Sequence, residues 1–253
     1  MTNEALAFTA LDFDSSQPVN SPTGAASRKT ARVAGVFYLL VAIFGGFAEG
    51  YVEPTIYAAG NATAHDVIAN AGLVRFGVVA DLLDQAFFIA LALTLYALLK
   101  WVSQGAARAM VVLVVVAAAI GSLNAVFLFE GLQVATDSAA VATFGADGVD
   151  ALVRLQLEIQ HYGLLAAQLL FGLWLAPLGY LAFTSGWFPK ALGVALVVAA
   201  GCYLIDLLAA FLTPDLSKAL HGFIVIPCAI AEIWMVLYLL AIGVRSSGPV
   251  PGR

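Results

Sequence analysis

Charge is what this chain has least of. Asp, Glu, Lys and Arg make up only 11% of its 253 residues, while 62% are hydrophobic. A soluble domain carries roughly a quarter charged residues, and the mean hydropathy here is +0.96. That scarcity excludes a water-solvated surface over most of the molecule and makes the lipid bilayer its expected solvent and first partner. The basic residues form no stripe or tail of the kind that marks a nucleic-acid binder, so no nucleic-acid partner is expected. Cysteine is confined to Cys202 and Cys228, both inside apolar runs and without CxxC or Cys/His ligand spacing. GxSxG, HExxH, P-loop and dinucleotide fingerprints are all missing. Ser and Thr are sparse near the acids inside the apolar runs, which argues against a serine hydrolase. A three-histidine zinc site would need His65, His161 and His221 together, although His65 lies in a loop. No cofactor, metal or catalytic residue is assigned by the sequence.

What the chain has in abundance is apolar runs long enough to cross a bilayer. They fall at about 32–53, 73–99, 108–134, 151–184, 189–213 and 220–244. Backbone polar groups must be satisfied internally in lipid, and the period-2 alternation of a barrel is lacking. The expected fold is therefore an all-α polytopic membrane bundle of about six transmembrane helices. Residues 1–30 read as a flexible cytoplasmic tail, 31–245 as a single transmembrane domain, and 246–253 as a second tail. The fourth run is long for a simple span, so its first turns are expected to project or tilt. Arg28, Lys29 and Arg32 precede the first run, Lys100 and Arg108 bracket the second turn, Lys190 the fourth, and Arg245 follows the sixth. The opposite loops carry Glu53, Asp66, Asp137, Asp147, Asp150 and Asp215, with Lys218 the basic exception. The positive-inside rule then puts both termini in the cytoplasm.

Ionisable residues inside spans are costly and usually face the bundle interior. This chain has Glu49, Asp81, Asp84, Glu130, Glu158, His161, Asp206 and Glu232, with Gln85, Asn124 and Gln168 beside them. At about 1.5 Å per residue, Glu49 lies about 25 Å from the inner anchor Arg32, and Asp84, Asn124 and Asp206 about 24 Å from theirs. Glu232 lies about 20 Å from Arg245. Five helices thus place a polar group at one level in the outer half, while the inner half is almost wholly apolar. Arg154, Glu158, His161 and Gln168 share one helix face, as do Asp81, Asp84 and Gln85. Arg75 and Arg154 begin their helices on the same outer side and are available as partners, for example Arg75 for Glu158. Pro177 and Pro227 are expected to kink their helices, and Trp101 and Trp187 to anchor the inner interface.

The ordered set Gly172-Leu173-Trp174-Leu175, Leu178-Gly179-Tyr180-Leu181, Ser185-Gly186, Pro189-Lys190, Leu192-Gly193 and Tyr203-Leu204-Ile205-Asp206 resembles a bacterial membrane family, domain-of-unknown-function family 4386. Ala34-Gly35, Tyr38-Leu39-Leu40, Glu49, Arg75, Asp81, Asn124, His161 and Glu232 with Trp234 agree with it. The likeness covers about residues 30 to 245. It implies a bacterial inner-membrane protein of six or seven helices and brings no activity. It singles out Glu49, Arg75, Asp81, His161, Asp206 and Glu232, whereas Asp84 is particular to this chain.

Together these readings point to a polar cavity open to the outside and closed toward the cytoplasm. Its binding candidates are Glu49, Arg75, Asp81, Asp84, Asn124, Glu158, His161, Asp206 and Glu232. The function expected is binding or transport of an ion or small solute. The alternatives are an accessory protein whose polar layer only fixes helix packing, and an intramembrane metal-dependent hydrolase using His161 and nearby acids.

Overall fold

The computed structural model describes residues 24–57 and 63–245, and no strand occurs among them. Nine helices run in order within those residues: α1 (Gly24–Phe47), α2 (Glu53–Tyr57), α3 (Ala64–Ala69), α4 (Ala71–Leu99), α5 (Gln104–Thr136), α6 (Ser138–Leu173), α7 (Leu175–Ser185), α8 (Lys190–Leu212) and α9 (Pro214–Ala241). A π-helical turn, Ala48–Val52, joins α1 to α2. Six segments are long and apolar enough to cross a membrane: Ala26–Tyr57, Ala71–Leu99, Gln104–Thr136, Ser138–Ser185, Lys190–Leu212 and Ala219–Ala241. Of the tails read at 1–30 and 246–253, residues 1–23 and 246–253 lie outside the described residues, while 24–30 form the start of α1.

Several boundaries differ from those expected. Helix α1 starts at Gly24, ahead of the basic cluster, and the first span carries on through α2 to Tyr57. Glu53, expected in a loop, is therefore helical. The fourth segment begins at Ser138 and bends at Gly145, whose φ of 72° is outside helical geometry and is natural for glycine. That segment does not merely kink at Pro177; α6 ends and α7 begins at Trp174. Pro177 has no N–H for the Leu173 carbonyl, and its ring crowds that same carbonyl.

The spans pack in a closed ring. Helix α1 lies against α4, α4 against α5, α5 against α6, α8 against both α6 and α7, α9 against α8, and α9 returns to α1. Small residues allow the close seams. A β-carbon on Gly179 would fall 2.7 Å from the Gly193 carbonyl oxygen, so α7 and α8 meet backbone to backbone.

Two apolar cores form inside the ring. One gathers Val52, Ile56, Val74, Leu128, Leu132, Val153 and Leu157. The larger one gathers Tyr38, Phe88, Leu91, Leu95, Met110, Trp174, Leu196 and Met235. Along α4, α5 and the first span, the polar residues fall between these two cores. Trp101 and Trp187 pack against each other. Their rings lie 4.8 Å apart, and Trp187 is buried at the end of the larger core. The Tyr238 hydroxyl donates to the Trp187 carbonyl at 3.0 Å. The outward surface is correspondingly apolar: Phe76 is 72% exposed and Phe223 74%, with Leu93, Val112, Leu123, Val194, Ile205 and Ile233 exposed as well. Side chains of that kind on every face belong in lipid.

Candidate functional site

The first span builds its part of the site through Pro54. Proline cannot donate to the Gly50 carbonyl four residues back. The chain opens into the π turn, in which the Glu53 N–H bonds to the Ala48 carbonyl, five residues earlier. Such turns widen a helix by one residue and re-aim the side chains beyond them. Glu49 sits in this turn and Glu53 immediately after it.

Three polar assemblies result. In the first, the Gln85 side-chain amide nitrogen donates to Asp81 Oδ1 at 3.1 Å and to Asp84 Oδ2 at 3.0 Å. Asp84 is 2% exposed, and its second oxygen, Oδ1, has no hydrogen-bond partner among the described residues. Gln85 is pressed against Gly121 of α5, where a β-carbon would fall 2.7 Å from the amide carbon. In the second assembly, Glu232 of α9 accepts from Tyr38 of α1 at 3.0 Å and from Tyr203 of α8 at 2.7 Å. Tyr203 has room because it faces Gly172, where a β-carbon would fall 2.6 Å from Tyr203 Cβ. In the third, Asp206 Oδ2 lies 2.9 Å from His221 Nδ1 and accepts from Gln168 Nε2 at 3.1 Å.

The first two assemblies share a cavity of about 150 Å³, lined by Tyr38, Val41, Gly45, Glu49, Asp84, Phe88, Phe171, Trp174 and Glu232. Three carboxylates face it, and no Lys, Arg or His does. Its remaining polar wall is the Tyr38 hydroxyl, already committed to Glu232, and much of the rest is aromatic. Phe88 stacks on Phe171 with ring centres 5.0 Å apart and meets Trp174 edge to face at 5.0 Å.

Glu49 also borders a second, larger groove of about 360 Å³, lined by Glu49, Glu53, Pro54, Tyr57, Glu158, His161 and Tyr162. Here the Gln160 amide donates to Glu53. The Tyr57 hydroxyl lies 2.6 Å from Gln160 Oε1 and 2.7 Å from the Leu157 carbonyl, its one proton shared between them. These bonds tie the end of the first span to α6. His161 stands beside Tyr57, ring centres 6.1 Å apart. Outside the spans, the Thr63 N–H and hydroxyl hold the Asp66 carboxyl below its usual range, capping α3.

The structure thus gathers Glu49, Asp84 and Glu232 around one cavity, with Asp81 behind Asp84, and Glu49, Glu158 and His161 around the adjoining groove. It does not bring the remaining candidates there. Arg75 is exposed and borders an apolar groove with Val78, Val79, Leu82 and Phe129. Among the described residues, neither Arg75 nor Arg154 forms an ion pair with Glu158. Asn124 is buried against Gly163, with its amide nitrogen unpartnered. Asp206 forms its own assembly with His221 and Gln168. Tyr38, Tyr203, Glu53 and Gln160 belong to the assemblies but were not among the sequence candidates. For Glu53 the i, i+4 spacing from Glu49 was the available signal. No group of three His, Cys, Asp or Glu side chains among the described residues is placed to hold a metal ion, so the metal-dependent hydrolase reading finds no ligand set here.

Six membrane-length helices in a closed ring, with apolar side chains outward and Asp84 and Asp206 buried within, define a multi-pass α-helical membrane protein. The chain belongs to the family described as domain of unknown function (DUF4386), which it matches over residues 33–243. No curated protein and no solved structure matches it.

Proposed function

We propose that this membrane protein binds a cation in the acidic cavity between its spans, as a small transporter or a binding protein. The observation that carries this reading is Asp84. A carboxylate this deeply buried keeps one oxygen unpartnered, on a wall it shares with Glu49 and Glu232 and with no basic side chain. Leaving such an oxygen unpaired costs about 1–3 kcal/mol, and a cation would relieve both the missing partner and the crowding of like charge. Glu49, common to cavity and groove, supplies the natural point of entry.

The test is the thermal stability of the detergent-purified protein across inorganic and organic cations at constant ionic strength, since a ligand that prefers the folded state raises apparent stability by mass action. A saturable rise in the wild type, lost in Asp84→Asn, is the expected result. No rise with any cation would overturn the reading, as would an equal rise in the variant.

Packing through polar groups is the second reading, and one observation favours it for part of the layer. Asp206 Oδ2 is held by Gln168 and His221 and so joins α8 to α6 and α9; its Oδ1 is unpartnered like that of Asp84, but Asp206 does not line the cavity. The orientation follows the basic residues: Arg28, Lys29, Arg32, Lys100, Arg108, Lys190 and Arg245 face the cytoplasm, and the groove at Glu49 and His161 opens on the other side. Labelling of a cysteine introduced at Ser103 or at Thr143 with a membrane-impermeant reagent on intact cells checks this. Thr143 is expected to react and Ser103 to stay protected.

A further inference from the structure

We infer that the cation this cavity takes is a small organic ammonium ion, a protonated amine with a short apolar tail, and not a bare metal ion. The inference rests on the cation-binding reading of the same cavity and narrows it to a chemical class.

Three features of the cavity bear on that class. The first is what the carboxylates do not do. A metal ion needs several donors within about 2.0–2.6 Å of one point. Among the described residues no three acidic, His or Cys side chains meet that condition. Glu49 comes from the π turn, Asp84 from α4 and Glu232 from α9, and they reach the cavity from different sides. Two of Glu232's acceptor positions are already used by Tyr38 and Tyr203. What is left is charge distributed around the space, with Asp84 Oδ1 a fully buried acceptor free to receive an N–H.

The second is the rest of the wall. Phe88, Phe171 and Trp174 form a continuous aromatic group, joined to Tyr38 through its contact with Trp174 at 5.7 Å. Val41 is the remaining large apolar side chain. Hydrated inorganic ions gain little from such a surface. An alkylammonium ion gains twice: its apolar carbons leave water, and its charge is attracted to aromatic rings.

The third is room. The cavity's volume of about 150 Å³ is some ten times the ~15 Å³ that one water needs. It would leave a lone sodium ion far from most of the wall, but it accommodates an ammonium head and a few carbons. Gly45 keeps that space open beside the acceptor. A β-carbon there would lie 3.2 Å from Asp84 Oδ1.

The experiment is calorimetric titration of the full-length protein in detergent with propylammonium, ammonium and sodium chlorides at equal ionic strength and pH, with propanol as the neutral control. Thermal stability is read in parallel. Propylammonium is expected to bind saturably and at least tenfold more tightly than ammonium or sodium, with propanol inactive. Asp84→Asn and Phe171→Leu are each expected to weaken it at least tenfold. If sodium or ammonium binds as well as propylammonium and Asp84→Asn abolishes that binding, the organic class is overturned while the cation cavity stands. If nothing binds the wild type, or propylammonium binds Asp84→Asn undiminished, the inference and the reading beneath it both fall. The comparison of ions on the wild type decides the class even if a variant does not fold.

Discussion

Gly45 of α1 faces the unpartnered oxygen of Asp84 on α4, so closely that a β-carbon at Gly45 would lie 3.2 Å from Asp84 Oδ1 and 3.4 Å from Asp84 Cγ. The same glycine lines the cavity. The absence of a side chain there leaves Asp84 accessible to whatever enters.

Gly45→Ala is therefore expected to act on binding more than on folding. The added methyl needs Asp84 to move by a few tenths of an ångström, and it occupies space beside the acceptor. Overpacking of this kind costs about 1–3 kcal/mol, and the part of it felt only by the ligand complex should weaken cation binding roughly tenfold. Titration of the variant checks this. Unchanged affinity would mean that the ligand does not approach the Gly45 side of Asp84.

Glu232 depends on two phenols from two other helices, and its hydrogen bonds pull α1, α8 and α9 together. Tyr203→Phe and Tyr38→Phe should each destabilise the protein by about 1–3 kcal/mol, since each leaves a buried acceptor short of a donor. Because the two donors serve one carboxylate, the double variant should depart from the sum of the single ones by more than about 0.5 kcal/mol. Unfolding in mixed micelles measures all three. Additive losses would show that the two phenols act on Glu232 independently of each other.

The level of the polar layer was legible from the helix rise alone: Glu49, Asp84 and Glu232 were placed at similar depth by counting from basic anchors, and the structure sets all three around one cavity. Which way each side chain turns was less legible. Depth comes from residue number, but azimuth depends on where a helix starts, bends or widens. Proline marks such places without saying how the chain answers. Pro54 produced a wide turn that carried Glu53 into the site, whereas Pro177 ended a helix at Trp174. Asp206 had the right depth and the wrong direction, whereas Arg75, in the first turns of α4 and beyond the layer, turns outward. Tyr38 and Tyr203 escaped notice because a tyrosine in an apolar run reads as packing until its hydroxyl is seen to meet an acid from another helix.

Asp206 separates binding from packing. Its assembly with Gln168 and His221 lies outside the cavity lining, and His221 is 59% exposed. Asp206→Asn and Gln168→Leu should lower thermal stability, with a coupling of about 0.6 kcal/mol and at most about 1.7, the range for hydrogen bonds between helices in membranes. The cation response should survive both, at reduced melting temperature. Its loss in Asp206→Asn, with Asp84→Asn silent, would move the binding site to the other assembly.

The π turn gives the last prediction. Along an unbroken α-helix the face marked by Tyr38, Gly45 and Glu49 drifts, and by Tyr57 it would be about 100° away from Tyr38. The extra residue in Ala48–Val52 takes back about one residue's rotation, so Glu53 and Tyr57 return to the side on which Gln160 and Leu157 wait. Pro54→Ala restores the missing N–H and lets the turn close as ordinary α-helix. Helix content should stay the same, while Tyr57 loses its partners on α6. A double-mutant cycle reads this directly. Tyr57→Phe should cost about 1 kcal/mol in the wild type and close to nothing in Pro54→Ala, with cation binding weakened severalfold because Glu49 turns with the helix. An undiminished Tyr57→Phe effect in Pro54→Ala would show that the widened turn is held by packing of the ring and not by its proline.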